Sequence, residues 1–240
     1  EAVHAEVTTL RAVAESHANE YAKHLQAKGL AASTYNQHIG FLARLWRTLA
    51  KEYRLTVNPW TEIKRKTLPG ASTRRELTLE ELQTVCTSAR GEMRLLFALG
   101  IYTGLRLGDC TTLRWAEVDL HRHMITRVPM KVARRKPVPI KVPVHPTLCA
   151  LLAETKTKAR GEYVLPESAA TYIKGRYLLS PQIQQHFKDC EIRTFKEVTG
   201  FVMAKGPDGE EELVSSGKRA VVEVGFHSLR HTFVSLCRAS

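Results

Sequence analysis

Apolar residues in the first quarter of the chain recur at intervals of three and four, the spacing that lines one face of an α-helix. Ala18, Tyr21, Ala22 and Leu25 follow Ser16, a residue able to cap a helix start, and precede Gly29, which suits a C-terminal cap. A second helix is expected from Ser33 or Thr34 to about Leu49, with Ile39, Leu42, Leu45, Trp46 and Leu49 on one face, and Asn58-Pro59 halts its continuation. Residues 1–63 therefore form a helical domain. The next stretch, Lys64 to Glu76, holds five basic residues with Pro and Gly but little to pack, and reads as an exposed basic linker over 64–77.

A second domain over 78–240 opens where Thr78 and Glu81 have capping-box spacing and Leu77 and Leu82 occupy the staple positions. Met93, Leu96, Phe97, Gly100 and Ile101 line the next helix, which ends near Gly104. Around 123–144 the period changes to two. Val138, Ile140, Val142 and Val144 alternate with Pro137, Pro139, Lys141 and Pro143, which predicts a hairpin whose proline-bearing strand lies at an edge. Helices are expected at about 146–158 and from Ser180, with Ser180 as cap and Pro181 in the first turn. A further hairpin within 200–224 turns at Gly-Pro-Asp-Gly-Glu. A final helix starts near His227 or Ser228, with Leu229, Phe233, Leu236 and Cys237 available to the core. The pattern is mainly α with a small β-sheet, an α+β arrangement.

Charge adds a partner class. The net charge is +12, and both halves are positive: 12 basic and 7 acidic residues precede Leu77, while 24 and 17 follow. Such a chain suits a polyanion, because neutralising phosphates releases counterions. No apolar run approaches membrane-spanning length and no signal-peptide order opens the chain, so a cytoplasmic location without membrane contact is expected. The five cysteines, at 86, 110, 149, 190 and 237, are scattered without C-x-x-C spacing and suit reduced thiols. His121 and His123 in a turn beside Cys110 lack further ligands nearby, so no metal is expected.

Two segments carry candidate chemistry. In Gly225 to Ala239, helical phase sets His227 beside Arg230 and His231, offering a donor or acceptor next to a fixed cation; a solvated basic face gives the same pattern. In Thr103 to Leu120, Arg106 follows a helix-ending glycine at a supported corner. That corner serves either a phosphate clamp or a salt bridge to Asp109.

Together these segments resemble the tyrosine recombinase (phage integrase) family, whose hallmark is T-G-x-R-x-x-E/D followed much later by H-x-L-R-H-T. The chain supplies Thr103, Gly104, Arg106 and Asp109, then His227, Leu229, Arg230, His231 and Thr232. The resemblance extends to the strand Val142 to Val144 and to the Ser33-Thr34 and Asn58-Pro59 turns. It implies an N-terminal SAM-like helical core-binding domain followed by a mixed α/β catalytic domain. It implies that Arg106 and Arg230 neutralise phosphate oxygens, that His227 assists proton movement at the nucleophile, and that Lys131, with Lys136 as runner-up, protonates the departing 5'-hydroxyl. Asp109 and His231 are then supporting residues. Lys64, Arg65, Lys66, Arg74, Arg75, Arg134, Arg135 and Lys136 are expected DNA contacts.

The resemblance also implies a cofactor-free recombinase of duplex DNA in a prokaryotic, nucleoid-associated setting, tetrameric on its site when full-length. Its nucleophilic tyrosine should follow the H-x-x-R motif, yet the tyrosines at 21, 35, 53, 102, 163, 172 and 177 all precede His227. The chain is thus expected to be a fragment, short at both ends and inactive alone. A type IB topoisomerase shares this chemistry, and a non-catalytic DNA-binding regulator accounts for the missing tyrosine.

Overall fold

A computed structural model describes residues 9–68, 74–135, 137–157, 161–196 and 220–239, together with the backbone of 201–205 and 211–215. Lys136 and the Gly-Pro-Asp-Gly-Glu turn lie outside the described residues. The chain divides into two compact units, 1–72 and 73–240, with the break inside the expected linker.

In the first unit, helices α1 (Glu15–Ala27) and α2 (Ala32–Tyr53) close around Ala18, Ala22, Leu25, Tyr35, Ile39 and Ile63. Helix α1 starts two residues earlier than a Ser16 cap would set it: Ala14 holds the cap position and its N–H donates to His17 Nδ1 at 2.9 Å. Gly29 adopts φ +62° in the connection, which only glycine does without strain. The buried stripe of α2 is Tyr35, Ile39, Ala43 and Trp46, and Leu45 stands exposed. Trp46 Nε1 donates to Val57 O at 2.8 Å, so the ring is held by a polar handle as well as by packing.

The start of the basic stretch is docked. Asn36 Oδ1 accepts from Lys66 N–H at 2.9 Å and Asn36 Nδ2 donates to Lys66 O at 2.8 Å, so one side-chain amide satisfies both backbone groups. Arg65 Nη1 donates to Asn36 O, Lys66 Nζ donates to Leu30 O, and Lys66 lies 4.9 Å from the Tyr35 ring centre. Order at residues 64–66 comes from hydrogen bonds and a cation over a ring rather than from apolar packing.

The second unit is built on α4 (Gly91–Thr103), in which Leu95 to Ile101 are all buried. Ahead of it, α3 (Leu79–Ser88) begins with a reciprocal box: Thr78 Oγ1 accepts from Glu81 N–H and Glu81 Oε2 accepts from Thr78 N–H. Both staple leucines join the main core. Short helix α5 (Leu107–Thr111) follows the left-handed Gly104.

An antiparallel sheet comes next, with β1 (Val118–Asp119), β2 (Met124–Arg127) and β3 (Ile140–Pro143) in that spatial order and Ile125 opposite Val142. The proline-bearing β3 is at the edge. Of the alternating residues only Val144 is buried; Val138 and Ile140 are exposed, because an edge strand with few pairs leaves its end in solvent. Between β2 and β3 lies a single helical turn, α6 (Met130–Ala133).

Helices α7 (Pro146–Thr157), α8 (Pro166–Lys174) and α9 (Arg176–Asp189) complete the middle of the unit. Helix α9 starts before Ser180, and Pro181 sits inside it. Burial of Leu179, Ile183 and Phe187 along one face holds the turn that proline alone would interrupt. Strands β4 (Phe201–Lys205) and β5 (Glu211–Ser215) pair antiparallel.

Helix α10 (Phe226–Ala239) packs tightly on α4: a Cβ placed on Gly100 would come within 2.8 Å of Phe226 Cζ and 3.0 Å of Leu229 Cδ1. Leu229 is fully buried, Phe233 is half-buried, and Leu236 and Cys237 are exposed rather than in the core. No helix among the described residues is long and apolar enough to cross a membrane.

Candidate functional site

The site is assembled at the corner between α4 and α5. Thr103 Oγ1 accepts from Leu105 N–H at 3.2 Å, and Gly104 turns the chain at φ +59°. This geometry delivers Arg106 to the position just before α5, half-buried rather than loose on the surface. From α10, Arg230 Nη1 donates to the Gly104 carbonyl. Two arginines distant in sequence thus meet at one corner.

His227 stands one turn before Arg230, and its ring lies 4.9 Å from that of His231 in an edge-to-face arrangement. Burial holds the His227 imidazole below its ordinary value, and the positive charges of His231, Arg74, Arg230 and Arg106 push it further the same way. Arg74, Arg106 and His227 line a cavity of about 470 Å³ together with Tyr172, Ser180 and Gln184; among the described residues no carboxylate lines it. The Tyr172 phenol end lies against Gly108, in space that any side chain there would take.

A second cavity of about 860 Å³ shares Arg106, Gly108 and Tyr172 with the first, and Lys131, Arg134 and Arg176 also line it. Lys131 rides on α6, whose start is fixed from below: buried Asp109 Oδ1 accepts from Met130 N–H at 2.9 Å. The same oxygen lies 3.4 Å from Arg127 Nε. Asp109 therefore organises Arg127 and the Lys131 turn, and its hydrogen bonds do not run to Arg106.

Arg127 escaped the sequence reading. On β2 it shares the inward face with Ile125, two residues away, and is only 5% exposed. A buried guanidinium needs partners. It has Asp109, Glu117 Oε2 at 2.6 Å, and the carbonyl and hydroxyl of Thr112 at 3.0 and 2.6 Å. The signal was available in the alternation Ile125, Arg127.

Of the other expected residues, Arg74 joins the first cavity rather than strapping along an exposed linker. Arg75 is committed elsewhere, gripping both carboxylate oxygens of Glu81 at 2.7 and 2.8 Å. Arg134 lines the second cavity, Arg135 is exposed beside it, and Lys64, Arg65 and Lys66 belong to the first unit. Cys110 is buried while His121 and His123 are exposed, so these three do not gather. Among the described residues no group of three His, Cys, Asp or Glu side chains is placed to hold a metal ion.

A family model for the phage integrase family matches residues 75–237. The chain belongs to the phage integrase family. No curated protein sequence matches it significantly. Among solved structures, a λ integrase dimer bound to a COC' core site is similar at TM-score 0.63 and 16% identity, over 95% of this chain and 58% of that one. A λ integrase tetramer bound to a Holliday junction matches at TM-score 0.62 and 17% identity, over 95% and 60%. The Tn1549 transposon integrase in complex with a circular intermediate DNA matches at 0.63 and 15%, over 96% and 75%. The chain thus spans 58% of the first of these integrases, and at such identities the likeness is one of fold: a mostly helical integrase architecture with a small antiparallel sheet.

Proposed function

We propose that this integrase-family chain is the phosphate-engaging part of a site-specific DNA recombinase that cuts and rejoins duplex DNA through a covalent 3'-phosphotyrosyl intermediate. What carries the reading is that Arg74, Arg106 and His227, from three separate segments, line one cavity that no carboxylate lines among the described residues, while Arg230 reaches the Gly104 carbonyl at the same corner. Such a cavity pays to keep its cations apart from counter-charges unless an anion occupies it.

In this reading Arg106 and Arg230 bind the nonbridging oxygens of one phosphodiester, and their fixed geometry favours the transition state, where charge shifts onto those oxygens. His227, whose affinity for a proton is lowered by burial and then by its cationic neighbours, accepts the proton of the attacking hydroxyl and hydrogen-bonds the phosphate. A tyrosine outside residues 1–240 supplies that hydroxyl. Its oxygen bonds to phosphorus as the bond to O5' breaks, and Lys131, from the adjoining cavity, gives its proton to the leaving oxygen. Asp109 positions the Lys131 turn and His231 buttresses His227. The helical first unit acts as the core-binding domain, with exposed Lys64 and Arg65 facing the DNA backbone and Lys66 holding their segment to Leu30 and Tyr35. The working assembly is a tetramer on DNA, by analogy with the λ integrase tetramer on a Holliday junction.

The test is a gel-shift series with duplex DNA at increasing salt. Binding strength should fall linearly on logarithmic axes, and Arg106→Ala should lower the slope by about 0.9 with the circular dichroism spectrum unchanged. No retention at the lowest salt, or an Arg106→Ala series superimposable on the parent, would overturn the reading. A non-catalytic DNA-binding role would show the same slopes, but no tyrosine codon would follow Ser240 in frame.

A further inference from the structure

The proposed phosphate site leaves one guanidinium without a task. Arg74 is held in place by the backbone that follows it: Arg75 N–H donates to Glu223 O at 2.9 Å, and Leu77 N–H donates to Thr232 Oγ1 at 3.0 Å. These two bonds lay the extended segment that opens the second unit along the start of α10. They set the Arg74 guanidinium against Gly225, where Nη1 lies 3.6 Å from the place a Cβ would take, two residues before His227.

Neighbouring arginines there have opposite fates. Arg75 turns to Glu81, which raises its already high affinity for a proton. Arg74 turns into the cavity with Arg106 and His227, is half-buried at a desolvation cost, and makes no ion pair among the described residues. A guanidinium that gives up water without gaining an acid is a poor structural element and a good receptor for an anion.

We propose that Arg74 is a third phosphate-binding guanidinium of the reaction pocket, engaging the same backbone phosphate as Arg106 and His227 rather than a distant point along the duplex. The proposal rests on the phosphate reading of that pocket. It assigns the connection between the two units a chemical task as well as a tethering one. A phosphodiester under attack by a second oxygen gains negative charge, and an added guanidinium meets it.

The probe is inorganic phosphate, titrated into the whole chain at constant ionic strength with chloride as balance. The readout is the NMR shift of the His227 ring, identified by its loss in His227→Gln. The parent should saturate; Arg74→Gln should weaken phosphate binding at least five-fold, Arg106→Gln by a similar factor, and Arg75→Gln by less than two-fold.

If Arg74→Gln binds like the parent while Arg106→Gln is weakened, the inference fails and the phosphate reading stands. If phosphate leaves the parent's His227 signal unmoved, or Arg106→Gln does not weaken it, the phosphate reading itself fails. Should Arg74→Gln disturb the spectrum as a whole, Arg74→Lys keeps the charge but loses the fork. It should stay folded and bind phosphate measurably more weakly than the parent, and equal binding would overturn the assignment.

Discussion

Replacing Arg127 by methionine should be the most damaging single change near the site that touches no proposed substrate contact. The Arg127 side chain is 6% exposed and its partner Asp109 only 2%, so methionine, of comparable length, fills the space but strands a buried carboxylate. Asp109 would keep the Met130 N–H and lose its cation. Breaking a buried pair from one side costs about 3–5 kcal/mol, whereas removing both charges often costs little. For a unit of this size each kcal/mol is worth about 2–4 °C, so Arg127→Met should lower the midpoint by roughly 6–20 °C. Thermal unfolding followed by circular dichroism measures it. Adding Asp109→Asn should restore part of the loss, because the stranded charge is then gone. Glu117 is 24% exposed and can turn to solvent, so it contributes the smaller share. A midpoint change under about 2 °C, or a double variant whose loss equals the sum of the single losses, would refute the reasoning.

Three further outcomes follow from the same geometry. Because folding holds His227 below its ordinary 6.5, the unfolded chain takes up more protons there; its stabilising share is complete above pH 6.5 and is lost as pH falls towards the lower folded value. The parent should therefore lose midpoint faster than His227→Gln on acidification below pH 6.5, and parallel curves would contradict this. Gly104→Ala combines a left-handed backbone with a Cβ driven into the Phe233 ring, and should cost about 2–4 kcal/mol in urea unfolding. Burial pushes the Cys110 thiol far up, so a thiol reagent should label exposed Cys237 in the native protein and reach Cys110 only after denaturant is added.

What was legible in the sequence is what depends on near neighbours. Thr78 and Glu81 are three apart, His227 and Arg230 likewise, and Gly104 answers a purely local demand for positive φ; each follows from spacing. The same logic misplaced the start of α9, since Ser180-Pro181 satisfies every local rule for a helix start. The burial of Leu179 and Phe187 that decides otherwise is a tertiary fact. It missed α8 altogether, and it offered Leu236 to a core that it does not enter. Residues 64–66 read as a linker because they carry no apolar side chain, whereas Asn36, 30 residues from Lys66, orders them by hydrogen bonds. Arg74 and Arg127 were hidden for one reason: a cation's partner, or its lack of one, is set by residues far along the chain. Only the alternation of Ile125 and Arg127 hinted at an inward charge.

The bond from Arg230 to the Gly104 carbonyl spans 126 residues, and it orders events in time. A ribosome delivers the Arg106 corner long before it delivers α10, so throughout that interval the flat side of α4 at Gly100 awaits Phe226 and Leu229. The helix that seals this hydrophobic face is the one that brings His227 and Arg230. His227 and Arg230 therefore reach the Arg106 corner only as that apolar face is covered.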